Sequence, residues 1–436
     1  MYDETDSKAP RISAARKSAP RTVQDTGLPF LFLTELLGKT LATRGQLRLS
    51  ELAAHSKLPP SVLDPLLVFM RAEKLCEIIR RGGSGTDADL HYNLTETGRL
   101  RAAECLQRDA YAGPAPVPLA DYAAQVARDS ARADSIQRTL MEQVFGALTI
   151  SPALLRQLGA ALNSGRALFL HGPAGSGKTF LAEQLRHLLP GEIMLPHAIL
   201  VDGAVVSLYD PLVHMLIEDN GPPDGMFERR APRDQRWLRS QRPAVLTGGE
   251  LTLEMLDLRF DPASRLYLAP PHLKANGGIF IIDDLGRQRC TPGELMNRWI
   301  VPMDRRLDYL TLQNGYKFPV PFDMAVVFSS NLAPDALDDA AFLRRLGYKI
   351  HVGPLNAVQY ESVFRQQCVA LGIAWQAESF RYLRDQLHAR QQQPLMACHP
   401  RDLLGQVCDL ARYEGRSPQL SPEVLDWAWK NYFTGV

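Results

Sequence analysis

The apolar positions of the chain fall into three rhythms. Over residues 28–110, "LPFLFLTELLGKTLATRG", "LSELAAHSKL" and "SVLDPLLVFMRAEKLCEII" carry apolar residues three and four apart, the period of amphipathic helices, and the third runs on into a strand. The glycine-rich "RRGGSGTDAD" then predicts a hairpin tip, "LHYNLT" a returning strand and "ETGRLRAAECLQRD" a closing helix. Further along, "RALFL", "GGIFIID" and "FDMAVVFSSNL" are unbroken apolar runs, the mark of strands buried on both faces in a parallel sheet. Beyond Pro354 the helical period returns in "LNAVQYESVFRQQCVALG", "AESFRYLRDQLHARQQQ", "RDLLGQVCDLARYEG" and "SPEVLDWAWKNYF".

These rhythms predict five regions. Residues 1–27, with five basic and no acidic residues between Lys8 and Arg21, read as a disordered tail. Residues 28–110, three helices and a β-ribbon, read as a winged helix-turn-helix domain. "YAGPAPVPL", with three prolines, opens a linker and helix over 111–145. Residues 146–353 form an α/β domain and 354–436 a helical domain.

The chemistry lies in "HGPAGSGKTF", residues 171–180, between the strand "RALFL" and a helix. Gly172, Pro173, Ala174, Gly175, Ser176, Gly177, Lys178 and Thr179 fit G-x-x-x-x-G-K-[ST], the Walker A pattern, with Phe180 next in the helix. Its glycines let backbone N–H groups turn inward around phosphates, where the helix N-terminus adds partial positive charge. Lys178 is expected to reach the β- and γ-phosphates of ATP, and the Thr179 hydroxyl to hold Mg2+. Asp283 and Asp284 end the next apolar strand, where Asp283 would partner the Mg2+ and Asp284 orient the attacking water. Asn331, after a third strand, is placed to hold that water by its amide. Arg344 and Arg345 close a helix just before a last strand.

Walker A, an acidic Walker B, a polar residue after the following strand and an arginine pair ahead of the last strand together resemble the AAA+ ATPases, over roughly residues 140–436. The resemblance implies an AAA+ parallel sheet flanked by helices with a C-terminal helical lid, ATP and Mg2+ as ligands, and a ring or helical homo-oligomer, hexamer-like. It implies that Asn331 is sensor 1, that Arg344 or Arg345 is the arginine finger for a neighbouring subunit's nucleotide, and that Arg401 in "HPRDLL" is sensor 2. The family usually ends Walker B in Asp-Glu, whereas this chain has Asp283-Asp284, a carboxylate one methylene shorter. "LGAALNSGRALFLHGPAGSGKT", "TGGELTLEMLDLRF" and "PPHLKANGGIFIIDDLGRQ" more narrowly resemble a bacterial group described as predicted ATPases with chaperone activity, associated with Flp-type pilus assembly.

Composition narrows the partners. The 436 residues carry a net charge of +1, so no global field draws the chain to nucleic acid or an anionic membrane. Six scattered cysteines without a CxxC pair suit buried thiols in a reducing cytoplasm, and no run reaches the length of a membrane span. A cytoplasmic protein without membrane insertion is expected. The third helix offers Ser61 and Asp64 where a DNA reader needs Arg, Lys, Asn or Gln, leaving Arg80 and Arg81 as phosphate candidates. A protein client or adaptor is therefore the expected partner of this domain, with nucleic acid the alternative. "RRAPRDQRWLRSQR" (229–242) holds six arginines, read either as a solvated face or as a nucleic-acid contact with Trp237 for stacking. "VLTGGELTLEMLDL" (245–258) reads as a strand or hairpin insertion with Glu250 exposed. Cys398 and His399 have no second pair at zinc-ligand spacing. The function expected is a chaperone-like AAA+ motor that remodels protein assemblies in a pilus or secretion system. The alternative is a DNA-associated ATPase: an initiator, loader or transcription regulator.

Overall fold

In a computed structural model, residues 17–80, 90–130, 135–218, 233–337 and 340–433 are described. Five strands form an all-parallel sheet in the order Ala244–Thr247, Ile279–Ile282, Ala325–Ser330, Ala167–His171, Leu346–His351. Alternation sends Phe280 and Ile282 into a core around Trp299, and Ile279 and Ile281 into a second core with Leu170, Ala182 and Leu185. Both faces are thus apolar, which is why these segments read as unbroken runs. The strand Ala167–His171 lies inside the sheet. The next three strands step towards it from the far edge, and the last crosses to its other side. Its C-terminal end is therefore where the winding reverses, the position at which such sheets hold ligands. "VLTGGELTLEMLDL" opens as a strand of this sheet, Ala244–Thr247 being its edge strand, and continues as a loop in which the exposed Glu250 carboxylate accepts the Gly248 N–H at 2.9 Å.

A second, mixed sheet runs Arg259–Asp261, Leu266–Leu268, Ala204–Ser207, Ala198–Val201, Val117–Pro118. The hairpin Leu307–Thr311/Lys317–Pro321 turns Leu310, Phe318 and Val320 into the core of that sheet, beside Trp237 and Leu273. The C-terminal helices Ala357–Ala370, Ala377–Tyr382 (continued by a π-helical turn, Leu383–His388), His399–Tyr413 and Pro422–Tyr432 bury Tyr360, Phe364, Phe380 and Trp429 in a core of their own. Among the described residues no helix is long and apolar enough to cross a membrane.

At the N-terminal end, helices Phe30–Arg44, Leu49–Ser56, Pro60–Ala72 and Glu96–Arg108 pack on a small sheet in which Leu90–Leu94 lies between Leu47–Arg48 and Cys76–Arg80. Pro60 and the preceding Pro59 start the third helix, where a missing N–H costs nothing.

Three expectations do not hold. Residues 1–16 lie outside the described residues, but 17–27 are not a solvated tail. The Asp234 N–H donates to the Lys17 carbonyl at 2.9 Å, Val23 and Thr26 are buried, and the Lys17 ammonium sits 3.9 Å above the Trp237 ring. Nor does the proline-rich stretch swing as a free linker. Proline removes donors but keeps acceptors, so the stretch is fixed by other groups. The Tyr111 hydroxyl donates to the Pro114 carbonyl at 2.6 Å, the Ala115 N–H donates to Ser56 O at 2.8 Å, and Val117–Pro118 joins the second sheet beside Ala198–Val201.

The arginine-rich stretch supplies the staple, so neither reading of it holds over its described part, 233–242. Arg236 is buried, paired with buried Asp234 at 2.8 Å, and donates to Thr26 O at 2.9 Å and Pro116 O at 3.4 Å. Arg239 pairs with Glu192 at 2.7 Å, and Arg242 donates to the carbonyls of Pro190, Asp129 and Gly277. Trp237 is buried and has no face to offer a base. Arg236→Ala strands the Asp234 charge without its partner. It is expected to cost about 3–5 kcal/mol, read as a lowered denaturant midpoint together with proteolysis near residues 110–118. An unchanged midpoint would remove the stapling role.

Candidate nucleotide-binding site

The five strands point their C-terminal ends at one edge, and the loops leaving that edge bring Lys178, Thr179, Asp283, Asp284 and Asn331 together. After His171 the chain turns through Gly172, where a Cβ would stand 2.2 Å from Val352 O, so only glycine fits. Gly177 enters the helix Lys178–Gln184 at φ +93°, a left-handed backbone that glycine adopts without strain. The buried Ser176 hydroxyl has no hydrogen-bond partner, so this cradle keeps a polar group in reserve. Phe180 is half-exposed at the cleft wall.

Lys178 is the pivot. Its Nζ donates to Gly172 O at 3.0 Å, Pro173 O at 2.9 Å and Asn331 Oδ1 at 2.9 Å, which uses all three of its N–H groups. Burial lowers its pKa from the ordinary lysine value, against the opposing pull of Asp283 and Asp284. The Thr179 hydroxyl lies 2.8 and 2.9 Å from the two Asp283 carboxylate oxygens. Asn331 closes the circuit, its Nδ2 donating to Asp284 Oδ1 at 3.1 Å. One amide therefore joins the loop lysine to the second aspartate, and this network sets which way the amide faces.

Asp284 has φ +49°, in the left-handed region. Among residues with side chains, Asp and Asn tolerate that conformation best. The short carboxylate at this position thus has a backbone reason. Gln288, to which the sequence reading gave no role, holds the turn: its Nε2 donates to Asp283 O at 2.8 Å and, more weakly at 3.3 Å, to Gly248 O and Asp284 O.

The cleft above these groups has a volume of about 830 Å³, room for a nucleotide. Leu148, Ile150 and Leu154 add apolar surface to its lining, and the helix Ala357–Ala370 adds Val363 together with Gln359, Gln366 and Gln367. Thr149 Oγ1 lies 2.9 Å from Ser362 Oγ, and Gln366 donates to Ala147 O at 3.1 Å, fastening these two segments together. The sequence reading missed this part of the lining. Its only trace was the apolar "LTI" ahead of the helix cap Ser151.

The hard oxygen pair of Thr179 and Asp283 fits a Mg2+ ion, which commonly takes its other ligands from water and phosphate. Among the described residues there is no group of three or more His, Cys, Asp or Glu side chains that could hold a metal ion.

Arg401, in the first turn of His399–Tyr413, lines the same cleft. Arg344 and Arg345 do not. They precede Leu346, which pairs with Ala167 at the start of the loop strand, about 16 Å of strand away from the cradle. Arg345 pairs with Asp304 at 3.1 Å, while Arg344 is exposed. With Arg166 and Arg306 they line a separate depression of about 430 Å³.

On the N-terminal module, the exposed face of the third helix presents Ser61, Asp64, Pro65, Val68 and Arg71. Arg80 ends a strand, and Arg81 lies outside the described residues.

Residues 356–431 match a family described as a domain of unknown function, DUF8689. No curated protein matches the chain. Among solved structures, NtrX from Brucella abortus is similar at 14% identity and TM-score 0.40, over 66% of this chain and 56% of that one. The Thermotoga maritima RuvB Holliday junction branch migration motor is similar at 12% identity and TM-score 0.35, over 68% of this chain and 70% of that one. This chain thus spans little more than half the length of NtrX. Likenesses at these scores leave the functional argument to the site itself.

Proposed function

We propose that the chain is an ATP-hydrolysing motor of the AAA+ kind, acting as a homo-oligomer on protein assemblies. The observation that carries this reading is the convergence of Lys178, Thr179, Asp283, Asp284 and Asn331 at the edge where the sheet's winding reverses. In it, Lys178 exchanges the Gly172 and Pro173 carbonyls for phosphate oxygens, and the glycine-loop N–H groups orient the chain of phosphates. Bound Mg2+ supplies charge neutralisation at those oxygens. Asp284 Oδ2, which leaves Oδ1 to Asn331, takes the proton of the attacking water.

The exposed position of Arg344, at the opposite edge from its own cradle, supports action on a second copy's nucleotide, with Arg345 held in place by Asp304. Arg344→Ala is expected to keep ATP binding and lose turnover that rises with protein concentration. Mixing it with Lys178→Ala should restore part of that turnover, because each variant supplies what the other lacks. No recovery at any mixing ratio would overturn the action in trans.

The N-terminal module is read as the seat of a protein client or adaptor, for an apparatus such as a pilus or secretion system. Asp64 and Val68 on its exposed helix face favour protein over phosphate. Retention of the full chain on duplex DNA, falling steeply with salt, would move the reading to a DNA-associated ATPase.

A further inference from the structure

The last helix of the chain ends beside the cleft, and a line of contacts runs from it to the glycine loop. Tyr432 lies in the final turn of Pro422–Tyr432. Its hydroxyl donates to Asp402 Oδ2 at 3.2 Å and lies 3.5 Å from Cys398 Sγ. The other carboxylate oxygen, Asp402 Oδ1, accepts Arg401 Nε–H at 2.9 Å. The Cys398 N–H donates to Gly175 O at 3.1 Å, so the turn that starts the Arg401 helix is fixed directly to the cradle.

An exposed arginine–carboxylate pair contributes little to stability, about 0–1 kcal/mol. The Arg401 side chain is 72% exposed, so its pairing with Asp402 calls for another account. A guanidinium has a fixed fork of five donors. A carboxylate on Nε holds the plane of the group and leaves both terminal nitrogens for an anion in front of it. The carboxylate is in turn held by the phenol, and the phenol's ring is packed against His399 and Phe433, with centroids 5.5 and 4.9 Å away. The order in that chain is built before any ligand arrives, so less rotamer freedom remains to be lost when Arg401 meets a phosphate.

We infer that Asp402 and Tyr432 are positioning residues that aim Arg401 at the terminal phosphate of a nucleoside triphosphate in the cleft. This rests on the nucleotide reading of the cleft. The C-terminal helix then belongs to the nucleotide site through a single hydroxyl, although none of its residues lines the cleft.

The test uses the full chain and two readouts. The first is the affinity ratio between a slowly hydrolysed ATP analogue and ADP, which reads the terminal phosphate without turnover. Asp402→Ala and Tyr432→Phe are each expected to reduce that ratio about tenfold, leaving ADP affinity and the melting temperature unchanged. Asp402→Asn, which still accepts Nε–H, should recover most of the loss. The second readout is a double-mutant cycle with Arg401→Ala, in which Asp402→Ala should have no further effect. An undiminished ratio in both variants, or an equal loss in the Arg401→Ala background, overturns the inference. Failure of the wild-type chain to bind either nucleotide would instead defeat the reading of the cleft. A wild type that binds ADP and the ATP analogue equally would leave the cleft standing and remove the aim of Arg401.

Discussion

Lys178→Ala is expected to abolish measurable ATP binding. Among the described residues the lysine is the cation buried in the cradle, and its ammonium bridges two loop carbonyls and Asn331. A charge-assisted contact to phosphate is lost with it, and Asn331 and the two carbonyls lose their donor. The clearest measurement is thermal unfolding with and without Mg·ATP. At a hundredfold excess over Kd, a ligand that binds only the folded state stabilises it by about 2.7 kcal/mol, and the variant should show no such gain. An undiminished ATP-dependent shift in the variant would place the nucleotide elsewhere.

Asp284→Asn is expected to separate binding from chemistry. Asparagine matches aspartate in shape, tolerates φ +49° equally well and still offers an oxygen to Asn331 Nδ2, so the turn is kept. It accepts no proton at neutral pH. Loss of a general base lowers turnover by about 10²–10⁴-fold, and ATP affinity should stay within about twofold. Asp284→Glu is the informative companion. A longer carboxylate is better placed for reach but worse placed for the backbone, since the left-handed conformation costs an ordinary side chain about 1–2 kcal/mol. We expect the Glu variant to melt lower and turn over no faster. A faster Glu variant at equal stability would show that the length of the acid, rather than its backbone, limits the wild type.

Much of the site was legible in the sequence because its parts are local. The glycine loop, the apolar strand ending in Asp283 and the strand ending near Asn331 each announce themselves within about ten residues. Long-range partners did not. Arg236 and Arg242 read as solvated charge because nothing nearby shows that their acceptors lie at Thr26, Pro116, Pro190 and Gly277. The prolines of 111–119 suggested a spacer, yet the same stretch offers carbonyls and buries Val117 fully. Gln288 stood in plain view beside Asp284, but its bonds are to backbone, and backbone acceptors carry no residue signature. This wall of the cleft needs two segments some two hundred residues apart, Leu148–Leu154 and Gln359–Gln367, and neither has a pattern that names the other.

The joint between the N-terminal module and the second sheet has a mechanical meaning. A loose cord would let the module drift near the sheets but could pass on no twist. Here Val117 is a strand of the sheet itself, and Arg236 grips Thr26 and Pro116 in one hand. A turn of the strand Ala198–Val201 thus meets paired backbone and a buried guanidinium on its way into the N-terminal module, where a slack tether would offer it nothing to push against.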